Sequence, residues 1–177
     1  MTGTVHLITG IQAAGKSTVA QALAERLPRS AHVRGDVFRR FVVNGRADMS
    51  PDPSPDALAQ LRLRHGLAAD TADAYASAGF AAVVQDVILG EHLAWMAERI
   101  RTRPLYVVVL APNPEAVAVR EAGRSKRAYV AGSFTVADLD TSLRGETARI
   151  GLWLDTSELT VEQTVDEILA RAEPYRL

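Results

Sequence analysis

Apolar residues along the chain follow two alternating periods. Short, nearly unbroken apolar runs occur at Thr4 to Thr9, Ala31 to Arg34, Phe80 to Gln85, Pro104 to Leu110 and Gly151 to Asp155. Three of them are rich in Val, Ile or Leu with little polar alternation, which is how strands buried on both faces read. Between the runs, apolar positions recur at helical spacing: Val19, Leu23 and Leu27; Leu58, Leu61, Ala68, Ala72 and Tyr75; Leu93, Met96 and Ile100; Val161, Val165, Ile168 and Ala172. Strands alternating with helices predict an α/β fold, a parallel sheet covered by helices. Asn113-Pro114-Glu115 sets a capping side chain before a first-turn proline, and Thr160 to Gln163 has capping-box spacing, so helices are predicted to begin there. Asn44 to Asp56, NGRADMSPDPSPD, breaks the pattern with three prolines and predicts a mobile loop beside the second strand.

Composition narrows the picture. A chain of 177 residues that is 47% hydrophobic suits one compact domain over 1–177 with a real core. Its 20 basic and 21 acidic residues give a formal charge of -1, no general reason to expect a nucleic acid or an anionic membrane as partner. The absence of cysteine excludes disulfides, thiolate metal sites and cysteine nucleophiles. No apolar run approaches the ~18 residues of a membrane span, and a soluble, cytoplasmic protein is expected.

One motif carries specific chemistry. Gly10-Ile11-Gln12-Ala13-Ala14-Gly15-Lys16-Ser17 fits the phosphate-loop pattern G-x-x-x-x-G-K-[ST] after a predicted strand and before a predicted helix, with Thr18 next in line. Small residues let the backbone curl round a polyphosphate with its N–H groups inward, and the helix adds its positive end. Lys16 would reach the β- and γ-phosphates of ATP, and the Ser17 hydroxyl would bind Mg2+. The chain lacks Asn-Lys-x-Asp, the usual guanine-reading element, and the Leu-Ser-Gly-Gly-Gln signature of transport ATPases. It also looks short for the helical lid domain of ring-forming ATPases. A small kinase is the class left.

Acceptor-side candidates follow from where acids and arginines fall relative to the strands. Asp36, in HVRGDVFRRF, comes just after the second strand and would deprotonate or orient an acceptor hydroxyl, with Arg40 beside Arg39 holding a polar group of the substrate. The alternative is a helix cap, a role aspartate favours. Asp86 closes the run Ala81 to Gln85 and would organise the magnesium shell with Ser17 or touch the acceptor, with Gln85 as a further hydrogen-bonding group; a solvated strand-end acid is the alternative. Arg120, Arg124 and Arg127 have spacings of four and three and would share one helix face, as a closing flap would need to steady a migrating phosphoryl group.

Other residues carry weaker signals. His6, His32, His65 and His92 lack metal-ligand spacing. Arg62, Arg64 and His65 are expected on a solvated face of the long third helical segment, with an acceptor pocket as the alternative. Trp95 and Trp153 are expected in the core. Asp155-Thr156-Ser157 ends the last strand where an adenine-contacting loop would lie, and turn chemistry explains the same residues.

Taken in order, GIQAAGKS, RGDVF, VVQDV, the arginine-bearing segment after YVVVL and the final WLDTS resemble the small kinases of adenylate-kinase-like topology, and among them the chloramphenicol phosphotransferase family. That resemblance implies a five-stranded parallel sheet of order 2-3-1-4-5 with helices on both faces and a helical lid. It implies ATP with Mg2+ as donor, Asp36 as counterpart of the family's base, and a small hydroxyl compound as acceptor. The chain departs from the family at Gln85-Asp86, where the antibiotic enzyme has paired acids, and at SFTVADLDTSLRGET, which lacks a histidine-containing segment. The Asp-x-Asp and Gly-Gly elements of shikimate kinase are missing. A kinase acting on a nucleotide or polynucleotide 5′ end, and a regulatory module that binds ATP without an acceptor, are the alternative readings.

Overall fold

In the computed structural model, residues 3–123, 129 and 133–177 are described. Five strands form one parallel sheet: β1 Val5–Gly10, β2 Ser30–Arg34, β3 Ala81–Gln85, β4 Leu105–Leu110 and β5 Leu152–Leu154, in the order β2-β3-β1-β4-β5. The expected strands and their implied order are all present. β1, β4 and most of β3 are buried on both faces, which is why they read as continuous apolar runs.

The helices are α1 Lys16–Arg26, α2 Gly35–Phe41, α3 Pro55–Ser77, α4 Glu91–Arg99, α5 Pro114–Ala122, α6 Val136–Thr141 and α7 Val161–Arg171. α1 packs with α7, and α3 packs with α4, so helices cover both faces of the sheet. Leu7, Ile8, Leu23, Leu93, Met96, Leu105 and Leu110 fill the space between these layers with essentially no exposure. Each such side chain contributes roughly 1.5–3 kcal/mol by leaving water.

The predicted helix starts are where the caps put them. Asn113 accepts from the Ala116 N–H with Pro114 in the first turn, and Thr160 and Gln163 form a reciprocal capping box. A second capping box, Thr135 with Asp138, starts α6 within a stretch for which the sequence reading has no element. No helix among the described residues is long and apolar enough to cross a membrane.

Two expectations are corrected. α2 follows β2 directly, so the proline-rich stretch joins α2 to α3, and it is tied down at several points. Arg39 holds Asp48 through two hydrogen bonds of 2.6 and 2.7 Å, and Gln60 of α3 binds the Ala47 N–H and the Gly45 carbonyl. Pro55 and Asp56 belong to α3, whose cap is Ser54. The second correction concerns the buried face of α3. It is made of Ala57, His65, Ala68, Ala69, Ala72, Asp73 and Ala76, while Leu58, Leu63, Leu67 and Tyr75 are exposed. The leucine periodicity in its first half marks a face turned away from the core.

Candidate active site

In a parallel sheet every strand delivers its following loop to the same edge, and ligands bind beyond the carboxyl ends. β1 delivers the phosphate loop, β2 delivers Asp36, β3 delivers Gln85 and Asp86, and β5 delivers Asp155 and Thr156. A single cleft of about 1170 Å³ is lined by Gln12 to Val19, Arg34, Asp36, Arg39, Arg64, Gln85, Asp86, Arg120 and Thr156, with apolar side chains of α2 and α3 at its far end.

The phosphate loop is held by backbone geometry. Gly10 has φ 151°, and a Cβ there would sit 2.5 Å from the Leu110 carbonyl oxygen; Gly15 has φ 94° at the start of α1. Ala13 has φ 62°, the only non-glycine in the left-handed region among the described residues. An L-residue pays for that conformation, and such strain persists where the surroundings dictate it. Lys16 is largely buried and donates to the Ile11 carbonyl at 2.7 Å, across the loop it belongs to. Of the residues expected to bind nucleotide, Gln12, Ala13, Ala14, Gly15, Lys16, Ser17 and Thr18 line the cleft, whereas Gly10 and the buried Ile11 do not. Thr9 anchors this end of β1: its hydroxyl donates to the Ile88 carbonyl at 2.9 Å and accepts from the Ile88 N–H at 3.0 Å.

Asp36 lies in the first turn of α2 rather than at its cap, a position occupied by Arg34 without a side-chain hydrogen bond. Its carboxylate is about half exposed, lines the cleft and meets Arg40 at 3.2 Å, one helical turn away. The sequence points to Arg40 as the group facing a substrate, but adjacent helix positions diverge by about 100° and it is Arg39 that lines the cleft.

Asp86 is 4% exposed and does not end in solvent. Arg64, from the middle of α3, grips it through Nε at 2.5 Å to Oδ2 and through Nη2 to Oδ1, while the Val87 N–H donates to Oδ1 at 2.7 Å. Arg64 is therefore not on a solvated face, and neither is His65, which is wholly buried with Nε2 3.8 Å from Asp86 Oδ2. Burial, reinforced by the positive charge of Arg64, pushes the His65 imidazole down to about 3, so a neutral ring backs the ion pair. Gly35 is required by close approach, because a Cβ there would run into Asp86 Oδ2. Gln85, also buried, lines the cleft one residue earlier.

Arg120 holds the opposite end of the cleft together. Its guanidinium donates to the Thr156 carbonyl at 2.5 Å and reaches the Ala14 carbonyl at 3.4 Å, tying the β5–α7 loop to the phosphate loop. Asp155 closes a turn on Ser157, and the Ser157 hydroxyl accepts from the Asn113 N–H, so turn chemistry shapes this loop while buried Thr156 faces the cleft. α5 ends at Ala122 with Gly123 at its cap, so it carries Arg120 alone of the three arginines; Arg124 and Arg127 lie outside the described residues. Two residues the sequence reading misses join here. The Tyr129 hydroxyl donates to the Gln12 carbonyl at 2.8 Å, and buried Glu121 accepts from the Tyr129 N–H. A tyrosine in a segment without periodicity offers no signal for such a contact.

Comparison with known proteins places this geometry. The family model described as AAA domain matches residues 5–146, and the chain belongs to that family, here in the form of a P-loop kinase-like domain. The sequence has no significant match among curated proteins. Solved structures are similar in fold at low identity. A sugar kinase from Janibacter sp. HTCC2649 aligns with TM-score 0.68 and 18% identity over 99% of this chain and 96% of that one. The APS kinase CysC of Mycobacterium tuberculosis in complex with AMPPNP and APS aligns with TM-score 0.69 and 17% identity, covering 96% of each chain. The tunicamycin resistance protein of Deinococcus radiodurans aligns with TM-score 0.65 and 21% identity over 96% of this chain and 95% of that one.

Proposed function

We propose that this member of the AAA-domain family is an ATP-dependent phosphotransferase, a single kinase domain over residues 1–177 that moves the γ-phosphoryl group to a hydroxyl of a small molecule. The observation that carries the reading is one cleft with the phosphate loop on one wall and Asp36, Gln85 and the Arg64–Asp86 pair on the other. A nucleotide-binding module without an acceptor has no use for a carboxylate facing its phosphates from the second strand. The near-neutral charge weighs against a polynucleotide acceptor.

In this mechanism the N–H groups of Gln12 to Ser17 and the Lys16 ammonium hold the donor phosphates, and Lys16 exchanges its carbonyl partner for phosphate oxygen. Magnesium prefers hard oxygen ligands and keeps several waters. The exposed Ser17 hydroxyl and the Asp86 carboxylate line one cleft and supply such a set, Asp86 acting through oxygens that Arg64 already orients. The ion bound there would offset charge on the β- and γ-phosphates. Asp36 takes the proton of the acceptor hydroxyl or aligns it, at an acid in contact with solvent that can lose that proton again. Arg120 keeps the Thr156 loop at its distance from Ala14 and so fixes the width of the nucleotide end, and Arg124 and Arg127 are the candidates for steadying the migrating group. Positioning and charge stabilisation supply most of the catalysis. ATP as donor favours the cytoplasm as the compartment of this proposed enzyme.

The test is ADP release with ATP, magnesium and a library of hydroxyl compounds. An acceptor that raises turnover well above hydrolysis, with the gain lost in Asp36→Ala, is the expected result. Turnover that no acceptor raises, and that ignores Asp36→Ala, would overturn the reading.

A further inference from the structure

Arg64 is bound along one edge of its guanidinium. Nε and Nη2 hold the Asp86 carboxylate, whereas Nη1 makes no hydrogen bond among the described residues and is not sealed inside the protein. A guanidinium has five N–H donors in a fixed fork, so most of them remain unused. The side chain is 17% exposed and lines the cleft. Arg103, which does not line it, shows what an arginine serving only the fold does. Both of its terminal nitrogens donate to main chain, at the Ala97, Ile100 and Thr102 carbonyls.

The partner of Arg64 fixes where the free edge lies. The strand order β2-β3-β1 sets the end of β3 between the strand that leads to Asp36 and the strand that leads to the phosphate loop. Asp86 touches both neighbours: its carboxylate presses on Gly35, the residue before Asp36, and its N–H donates to the Ile8 carbonyl of β1 at 3.3 Å. The charges acting on the guanidinium are those of Arg39, Asp36 and Asp48, so its head is close to the proposed base. Two other arginines of this wall are held differently. Arg39 is tied to Asp48, an exposed acid on the loop, and Arg34 is exposed with no ion pair among the described residues. Arg64 is the one fixed from the floor of the sheet, with wholly buried His65 behind the pair. A donor oriented before the ligand arrives needs no reorganisation when charge develops beside it.

We propose that Arg64 is a catalytic residue of the transfer, its free edge donating to oxygens of the γ-phosphoryl group as that group passes from ADP to the acceptor. The assignment rests on the phosphotransferase reading. The acceptor oxygen forms a new bond to the γ-phosphorus, the bond from that phosphorus to the bridging oxygen breaks, and ADP leaves with its electron pair. The acceptor proton goes to the Asp36 carboxylate, and Arg64 gives hydrogen bonds but no proton. Charge spreads over the outer oxygens of the phosphoryl group in flight, and that is what fixed N–H donors stabilise. Asp86 then has a second task besides the metal: it holds the guanidinium at the midpoint between base and phosphate loop.

The experiment uses the full chain with MgADP and fluoroaluminate, an anion that stands in for the migrating group, and compares wild type with Arg64→Lys. Lysine keeps a cation beside Asp86 but has no second edge. Calorimetry reads nucleotide affinity, fluorine NMR reads the bound anion, and melting curves check the fold. In wild type, fluoroaluminate should tighten MgADP binding about tenfold or more, and Arg64→Lys should lose that gain while binding MgADP alone within about twofold of wild type. A gain kept in Arg64→Lys makes the ion pair purely structural and overturns the proposal. So does a wild type that binds MgADP and gains nothing from the anion, with the nucleotide site left standing. A wild type that does not bind MgADP at all removes the phosphotransferase reading and this role with it. If Arg64→Lys melts below the assay temperature, a crystal structure of the wild-type complex decides. Arg64 Nη1 on a fluorine of the anion supports the role, and Nη1 left in water overturns it.

Discussion

The two walls of the cleft are made differently. The donor wall is main chain: Gly10, Ala13 and Gly15 set a curled backbone over buried Ile11, and Lys16 is folded into the loop it serves. The acceptor wall is side chain: an exposed carboxylate, one ion pair tying α2 to the loop after it and another tying α3 to the end of β3, and exposed Phe41, Leu63 and Leu67. A backbone cradle fits any polyphosphate, so its sequence is nearly fixed; a wall of side chains is free to vary with the acceptor.

That contrast can be broken from either side. Lys16→Ala should have the largest effect, a loss of turnover of about 10²-fold or more with the fold intact, because the cradle loses the ammonium proposed to hold the donor phosphates. Steady-state kinetics with melting curves would check it, and retention of nucleotide binding and turnover would remove the donor assignment. On the acceptor wall, Arg64→Met leaves Asp86 buried and unmatched and should cost about 3–5 kcal/mol in denaturant unfolding. An unchanged midpoint would show that the pair contributes no net stability. Gly35→Ala presses on the same carboxylate and should cost about 1–3 kcal/mol as Asp86 and α2 shift. A smaller effect separates the core from both walls. Burial pushes the His6 imidazole, stacked on Tyr106 at 4.8 Å, down to about 4. The unfolded chain therefore binds its proton first as pH falls below about 6.5, and this contribution to stability is present above that value and lost progressively down to about pH 4. His6→Phe should flatten that slope. Ala13→Gly should have the smallest effect, a stabilisation of at most about 1 kcal/mol, since relief of left-handed strain is partly offset by the entropy of glycine in the unfolded chain.

The same contrast explains what the sequence reveals. β1, β3 and β4 were legible because burial on both faces leaves a continuous apolar run, and α5 and α7 because their caps are local. The phosphate loop was legible because its defining pattern, Gly10 to Ser17, occupies eight consecutive residues. Arg64 and His65 were not. They sit among polar and apolar neighbours that suggest a solvated face, and only the register of α3 on the sheet turns them toward Asp86, 22 positions away from Arg64. Asp36 had the sequence of a cap but took the first turn, because β2 passes into α2 without a linker. Asp73 shows the difficulty from another side. It belongs to no motif, yet it is buried and accepts from the N–H groups of Arg101 and Thr102 and from the Thr102 hydroxyl.

The central claim is that the two walls cooperate in one transfer. Phosphorus NMR of the protein with MgATP and a hydroxyl acceptor tests it most directly, with Asp36→Ala run alongside. A phosphomonoester signal growing in step with ADP, and lost in Asp36→Ala, is the predicted result. Inorganic phosphate alone, produced at the same slow rate by both proteins whatever the acceptor, would contradict it.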